Sequence, residues 1–175
     1  MAEDPGKASV RDLIKSVKEG GYVIPYFQRG FEWKPSMVSD LFESILQDYY
    51  AGLLLFWELD SKRTEQASWD PVWGAEQPKS PEKAILDGQQ RISSLYYAIE
   101  NPAERFPSRK TYYRWFLDLD KCLNGEIDGS VNYTYSRNYH SLESMKEKRE
   151  KWIEEGTIPL ALLSDPSYLS SNEFG

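Results

Sequence analysis

Two short runs of residues in this 175-residue chain carry groups able to grip an anion. The first is Asp87-Gly88-Gln89-Gln90-Arg91, set between Lys83-Ala84-Ile85-Leu86 and a stretch with Ile92, Leu95, Tyr96 and Ile99 at helical spacing. A helix that starts after a strand and a glycine turn presents unpaired backbone N–H groups and the positive end of its dipole, and both attract phosphate. Arg91, in the first turn, adds a planar fork of donors suited to phosphate oxygens. Gly88 would let backbone approach a ligand closely. Gln89 and Gln90 can donate to phosphate oxygens or position a water, and Asp87 can hold a magnesium ion that bridges phosphates or simply cap the helix. The second run is Gln28-Arg29-Gly30. Taken alone, an Asp-Gly turn before an amphipathic helix is an ordinary capped start. A second Gln-Arg pair changes that reading, because two arginines sharing a cleft repel unless an anion lies between them.

The elements that must position these groups can be read from periodicity. Ser9 caps a helix over 9–18, with Val10, Leu13, Ile14 and Val17 on one face and Gly20-Gly21 as its stop. Tyr22-Val23-Ile24-Pro25-Tyr26-Phe27 is β-rich, and Pro25 marks an edge strand or a strand that is ending, so Gln28-Arg29 sits at a strand's exit. A second helix is expected over 36–50, with Met37, Leu41, Phe42, Ile45, Leu46 and Tyr49 as its stripe. Leu53-Leu54-Leu55-Phe56-Trp57 is short and continuously apolar, which predicts a fully buried strand. Residues 60–82 lack periodicity and read as a long loop or insertion beside the site. Residues 83–86 form a strand, and a helix runs over 89–100. Residues 112–119 and 131–135 suggest a β-hairpin, with turns at Asn124-Gly125 and Asp128-Gly129. A last helix is expected over 141–155, followed by a docking segment at 158–163. The fold class is therefore α/β (α+β), a small mixed sheet flanked by helices, in a single domain over 1–175.

Composition bounds the chemistry. With 40% hydrophobic and 14% aromatic residues the chain can bury a core. Its net charge of -7 disfavours broad nucleic-acid binding, whose affinity comes from Lys and Arg neutralising phosphates. Arg105, Arg109, Lys110 and Arg114 cluster, but Glu104 sits beside them, and a solvated loop and strand face outweighs DNA contact there. The single cysteine, Cys122, allows no internal disulfide, and no Cys/His cluster suits zinc. No apolar run is long enough to span a membrane, and a cytoplasmic location is the expectation.

The run from Ile24 through Pro25, Tyr26, Phe27, Gln28, Arg29, Gly30, Phe31 and Glu32 to Trp33 comes first, followed by Phe56-Trp57 and then by Asp87-Gly88-Gln89-Gln90-Arg91. In that order they resemble the ParB/sulfiredoxin-like domain at the N-terminus of GmrSD-type restriction enzymes, over about residues 8–100. The resemblance implies binding and hydrolysis of a nucleoside triphosphate with Mg2+, in a phage-defence system that senses modified DNA. It assigns Asp87, Gly88, Gln89, Gln90 and Arg91 to the phosphate and metal site. Gln28 and Arg29 would face that site, and Trp33 would stack on a base or merely pack. Relatives usually carry a His-Asn-His nuclease domain, whereas this chain has one histidine, His140, which reads as a surface or capping residue. The expected partners are therefore a nuclease domain or subunit, nucleotide and modified DNA, with room for a homo-oligomer and none for a membrane. Two non-enzymatic alternatives remain at this point: a DNA-reading module that uses the same Arg and Gln residues, and a docking scaffold that uses residues 61–82.

Overall fold

The structure, a computed structural model, describes residues 9–60, 68–78, 80–107 and 109–165. It is a mixed α/β arrangement with two small sheets and, among the described residues, six α-helices. The chain divides into two compact units, one comprising residues up to Gly30 and Leu53–Tyr96, the other Phe31–Gly52 and residues from Tyr97 onward.

In the first unit, α1 (Val10–Lys18) begins where the Ser9 hydroxyl accepts from the Asp12 amide at 3.1 Å, and it buries Leu13, Ile14 and Val17. A four-stranded sheet has the order β2-β4-β1-β3, where β1 is Tyr22–Pro25, β2 Leu55–Glu58, β3 Trp69–Pro71 and β4 Lys83–Asp87. β1 and β4 run parallel at its centre, and β2 and β3 flank them antiparallel. Pro25 closes β1 and Val23, Ala84 and Ile85 are fully buried, as central strands require. α3 (Gln89–Glu100) follows β4 after the single residue Gly88 and buries Ile92 and Leu95.

One expectation is corrected by the sheet. The apolar run before residue 58 does not become a buried strand: β2 is an edge strand with Leu55 55% and Trp57 41% exposed. It has one neighbour, and its ladder starts only at Leu55, where the register with Asp87 shifts. Within residues 60–82, read as a long loop or an insertion, lies β3, which pairs with β1 from Val23↔Pro71 to Pro25↔Trp69. Residues 61–67, also expected in that loop, lie outside the described residues.

In the second unit, α2 (Pro35–Leu46) starts with proline at its first turn and stops before Asp48, which takes φ 54°. Its end is four residues earlier than the apolar stripe suggested. β5 (Tyr112–Asp118) is the centre of an antiparallel sheet of order β6-β5-β7, with β6 at Val131–Ser136 and β7 at Thr157–Pro159. The hairpin β5-β6 is present, but its connection holds a short helix, α4 (Leu119–Leu123), capped by the Asp118 side chain. α2 docks on this sheet through polar bonds. Trp115 Nε1 donates to the Pro35 carbonyl at 3.1 Å, and the Glu43 carboxylate accepts from the Val131 amide at 3.0 Å. The expected last helix is broken in two, α5 (Leu142–Lys146) and α6 (Arg149–Glu154). Behind it, Met145 packs with Ala161 and Leu162 of a 3₁₀ helix, Leu160–Ser164. No described helix is long and apolar enough to cross a membrane.

Candidate functional site

The parallel pairing of β1 with β4 brings the carboxyl ends of both strands to one end of the first sheet, and the antiparallel β2 starts at that same end. Open α/β sheets place ligands outside the carboxyl ends of their parallel strands. Three segments meet there: residues 26–30 after β1, Leu53-Leu54 before β2, and Asp87 through Arg91 after β4.

Three glutamines hold the first and third segments together. Gln28 Nε2 donates to the Ile85 and Leu86 carbonyls at 2.6 and 3.1 Å. In return, Gln89 Nε2 donates to the Arg29 carbonyl at 2.7 Å and Gln90 Nε2 to the Gly30 carbonyl at 2.9 Å. Gln89 and Gln90 are only 9% and 7% exposed. Each such bond contributes roughly 1 kcal/mol, and losing one partner of a buried bond costs more than making it gains. These amide nitrogens therefore brace the loop.

Arg91 is likewise engaged. Its Nη2 donates to the Leu53 carbonyl at 2.6 Å and lies 3.3 Å from Asp87 Oδ2. The Arg91 side chain is 18% exposed and that of Asp87 68%. Gly88 takes φ +93°, and a β-carbon added there would sit 2.3 Å from Leu54 Cδ2 and 3.2 Å from Arg91 Nη2. Glycine is thus required here by backbone conformation and by the leucine lying against it, and close approach of a ligand need not be invoked. Arg29 is exposed beside the exposed pair Tyr26 and Phe27, whose rings meet edge to face at 5.8 Å. Trp33 is half-buried and belongs to the other unit.

Sequence reading had no hold on Leu53 and Leu54. One contributes only a carbonyl and the other only bulk, and neither leaves a mark in residue chemistry. Among the described residues no group of three or more His, Cys, Asp or Glu side chains could hold a metal ion. Asp87 is the single carboxylate at this end of the sheet with a role assigned from the motif. Magnesium is commonly held by one or two carboxylates together with substrate phosphates and water, so a nucleotide-borne ion fits a lone, exposed Asp87.

Residues 10–166 match the family described as the GmrSD restriction endonuclease, N-terminal domain. An uncharacterised protein of Methanocaldococcus jannaschii is 32% identical over 185 residues, an alignment that takes in 93% of this chain. The chain spans 29% of the length of that curated relative. By the extent of the family match, the chain belongs to the GmrSD restriction endonuclease N-terminal-domain family.

Proposed function

We propose that this N-terminal domain binds a nucleoside triphosphate at the carboxyl ends of β1 and β4, hydrolyses it slowly, and thereby regulates a nuclease in a modification-dependent defence system. The observation that carries the reading is the bracing by Gln28, Gln89 and Gln90. It fixes the Arg29 loop against the start of α3, so that a cation, a carboxylate and a helix N-terminus sit at one end of the sheet. The ParB/sulfiredoxin-like resemblance of the same motifs supports it. So does the greater length of the matched relative, which leaves space for a further domain such as a nuclease.

In this reading the α3 amides and Arg29 receive phosphate oxygens, and Asp87 would hold a magnesium ion, which would supply positive charge to neutralise the phosphates. Arg91 then holds the Leu53 carbonyl and leans toward the ligand, and Gln89 and Gln90 position the water. Tyr26 and Phe27 offer exposed faces for a base. Phosphoryl transfer asks mainly for alignment and charge stabilisation, and a braced loop supplies both. Modified DNA is the signal expected from the family, read by this domain or by the rest of the protein.

The test is thermal unfolding with ATP, GTP, CTP and UTP, with and without magnesium. A nucleotide at about a hundred times its dissociation constant stabilises by roughly 2.7 kcal/mol. Arg29→Ala, at an exposed position, should fold normally and lose most of that shift. If all four nucleotides leave the transition unmoved, the proposal fails.

A further inference from the structure

The second unit holds a cationic pocket of about 160 Å³ that none of the motifs above touches. Strand alternation builds one wall: Arg114 and Thr134 are register partners on β5 and β6, and Phe116 and Ser136 share their face. His140, Ser144, Lys148 and Trp152 complete the lining, the last with its ring 5.0 Å from that of Phe116 at a tilt of 50°. Three of the ten lining residues are basic and none is acidic. That is a strong local bias in a chain with 28 acidic and 21 Lys or Arg residues.

Arg114 is the decisive group. Its Nη2 is withdrawn from solvent with no hydrogen-bond partner, and among the described residues it pairs with no carboxylate. Burial pulls its pKa down, and the phenols of Tyr97 and Tyr139 offset this only in part. A guanidinium nitrogen withdrawn from water without a partner costs free energy that a bound anion would recover. Glu143, at the start of α5, is held ionised by its own backbone N–H and the Ser141 hydroxyl, but it does not line the pocket and is not among the groups whose charge acts on Arg114.

The rest of the pocket is fixed in place. Asn101 ends α3 at φ 47°, and its Nδ2 donates to the His140 carbonyl at 3.0 Å. Tyr139 closes the clasp by donating its hydroxyl to the Asn101 carbonyl at 2.9 Å. Ser136 Oγ accepts from the Asn138 amide at 3.1 Å and stands 3.4 Å from His140 Nε2. Its proton can therefore serve the ring or a ligand.

We propose that this pocket is an oxyanion site, taking the terminal phosphate of a phosphate monoester between Arg114, His140 and Lys148. Its volume is about half the low end of the ~300–1,000 Å³ that encloses a drug-sized ligand, so the phosphoryl group enters and its organic part stays outside. A backbone diester carries a sugar on both sides and would have to enter sideways. The site belongs to the unit that lacks the Asp87 motif and stands independently of the nucleotide proposal.

His140, the single histidine, reports on the site without ambiguity in ¹H–¹⁵N spectra of the chain. Inorganic phosphate and phenyl phosphate, added at constant ionic strength, should shift the ring signals saturably. Both should also raise the pH at which the ring titrates, because an anion favours imidazolium. Blunt duplex DNA without terminal phosphates should do neither. Arg114→Met should weaken phosphate binding about tenfold or more, and the exposed Lys148→Ala several-fold. Arg29→Ala should leave the response intact. The proposal is overturned by a drift that stays linear to about 0.1 M, the mark of general screening. It is overturned as well if both pocket variants bind like the parent. If Arg114→Met does not fold, Lys148→Ala decides alone. If DNA shifts His140 and phenyl phosphate does not, a monoester is not the ligand.

Discussion

The two arginines at the centre of these sites, Arg91 and Arg114, are both substantially buried, yet their surroundings differ. Arg91 has a carbonyl and a carboxylate within reach and helps to hold Leu53 against the start of α3. Arg114 has a nitrogen with no partner at all. The first charge contributes to the architecture as it stands, and the second carries the cost of one desolvated, unpartnered nitrogen. A motif arginine can thus be partly structural, while an arginine outside any motif can be the one that lacks a counter-charge.

The largest expected effect tests how tightly the first site is built. Gly88→Ala forces a β-carbon at positive φ against Leu54, and it should lower unfolding stability by about 2–4 kcal/mol in urea titrations. A loss under about 0.5 kcal/mol would mean that Leu54 yields freely and the turn is loose. Next comes Gln90→Leu, which leaves the Gly30 carbonyl without its donor. It should cost about 1–3 kcal/mol and speed amide exchange in residues 28–30 more than in β5. Equal exchange in both regions would show that the brace is not local.

The comparison itself is sharpened by a matched pair. Arg91→Met should destabilise by about 1–2 kcal/mol through the lost bonds to Leu53 and Asp87. Arg114→Met should be neutral or stabilising by up to about 1 kcal/mol, since it removes an uncompensated charge and keeps the stem. Equal losses would break the contrast. The smallest effect concerns pH. Burial, with Arg114 and then Lys148 nearby, holds the His140 pKa below its usual 6.5. The unfolded chain therefore binds the proton more readily. Stability contributed by the neutral ring is full above 6.5 and falls as pH drops below it, until the folded ring also titrates. His140→Gln should flatten that slope in denaturant titrations between about pH 5 and 7.

Much of the fold could be read from residue patterns, and the failures have physical causes. α1 and α3 were legible because a cap or glycine turn and a 3.6-residue stripe agree in each. β2 was misread because a continuous apolar run looks the same at an edge as in a sheet's centre, and edge position depends on which strands pair. The break between α5 and α6 has no proline or glycine to announce it, since Glu147 and Lys148 are both adequate helix formers. The two Gln-Arg elements were read as a strand's exit and a helix's start sharing a cleft, and Gln89 and Gln90 bond to the carbonyls of Arg29 and Gly30. What the glutamines bond to was hidden, because their acceptors are backbone carbonyls that any sequence supplies. The Arg114 pocket was hidden for a different reason. Its members are spread from residue 114 to residue 152 and meet only through strand register and a broken helix.

The glutamine brace has one more consequence, for how such a domain can change. Since Gln89 and Gln90 grip main-chain oxygens at positions 29 and 30, they are indifferent to the side chains carried there. The tie on the loop and the chemistry of its side chains are thereby written in separate letters: the two glutamine bonds to positions 29 and 30 are compatible with any side chain there.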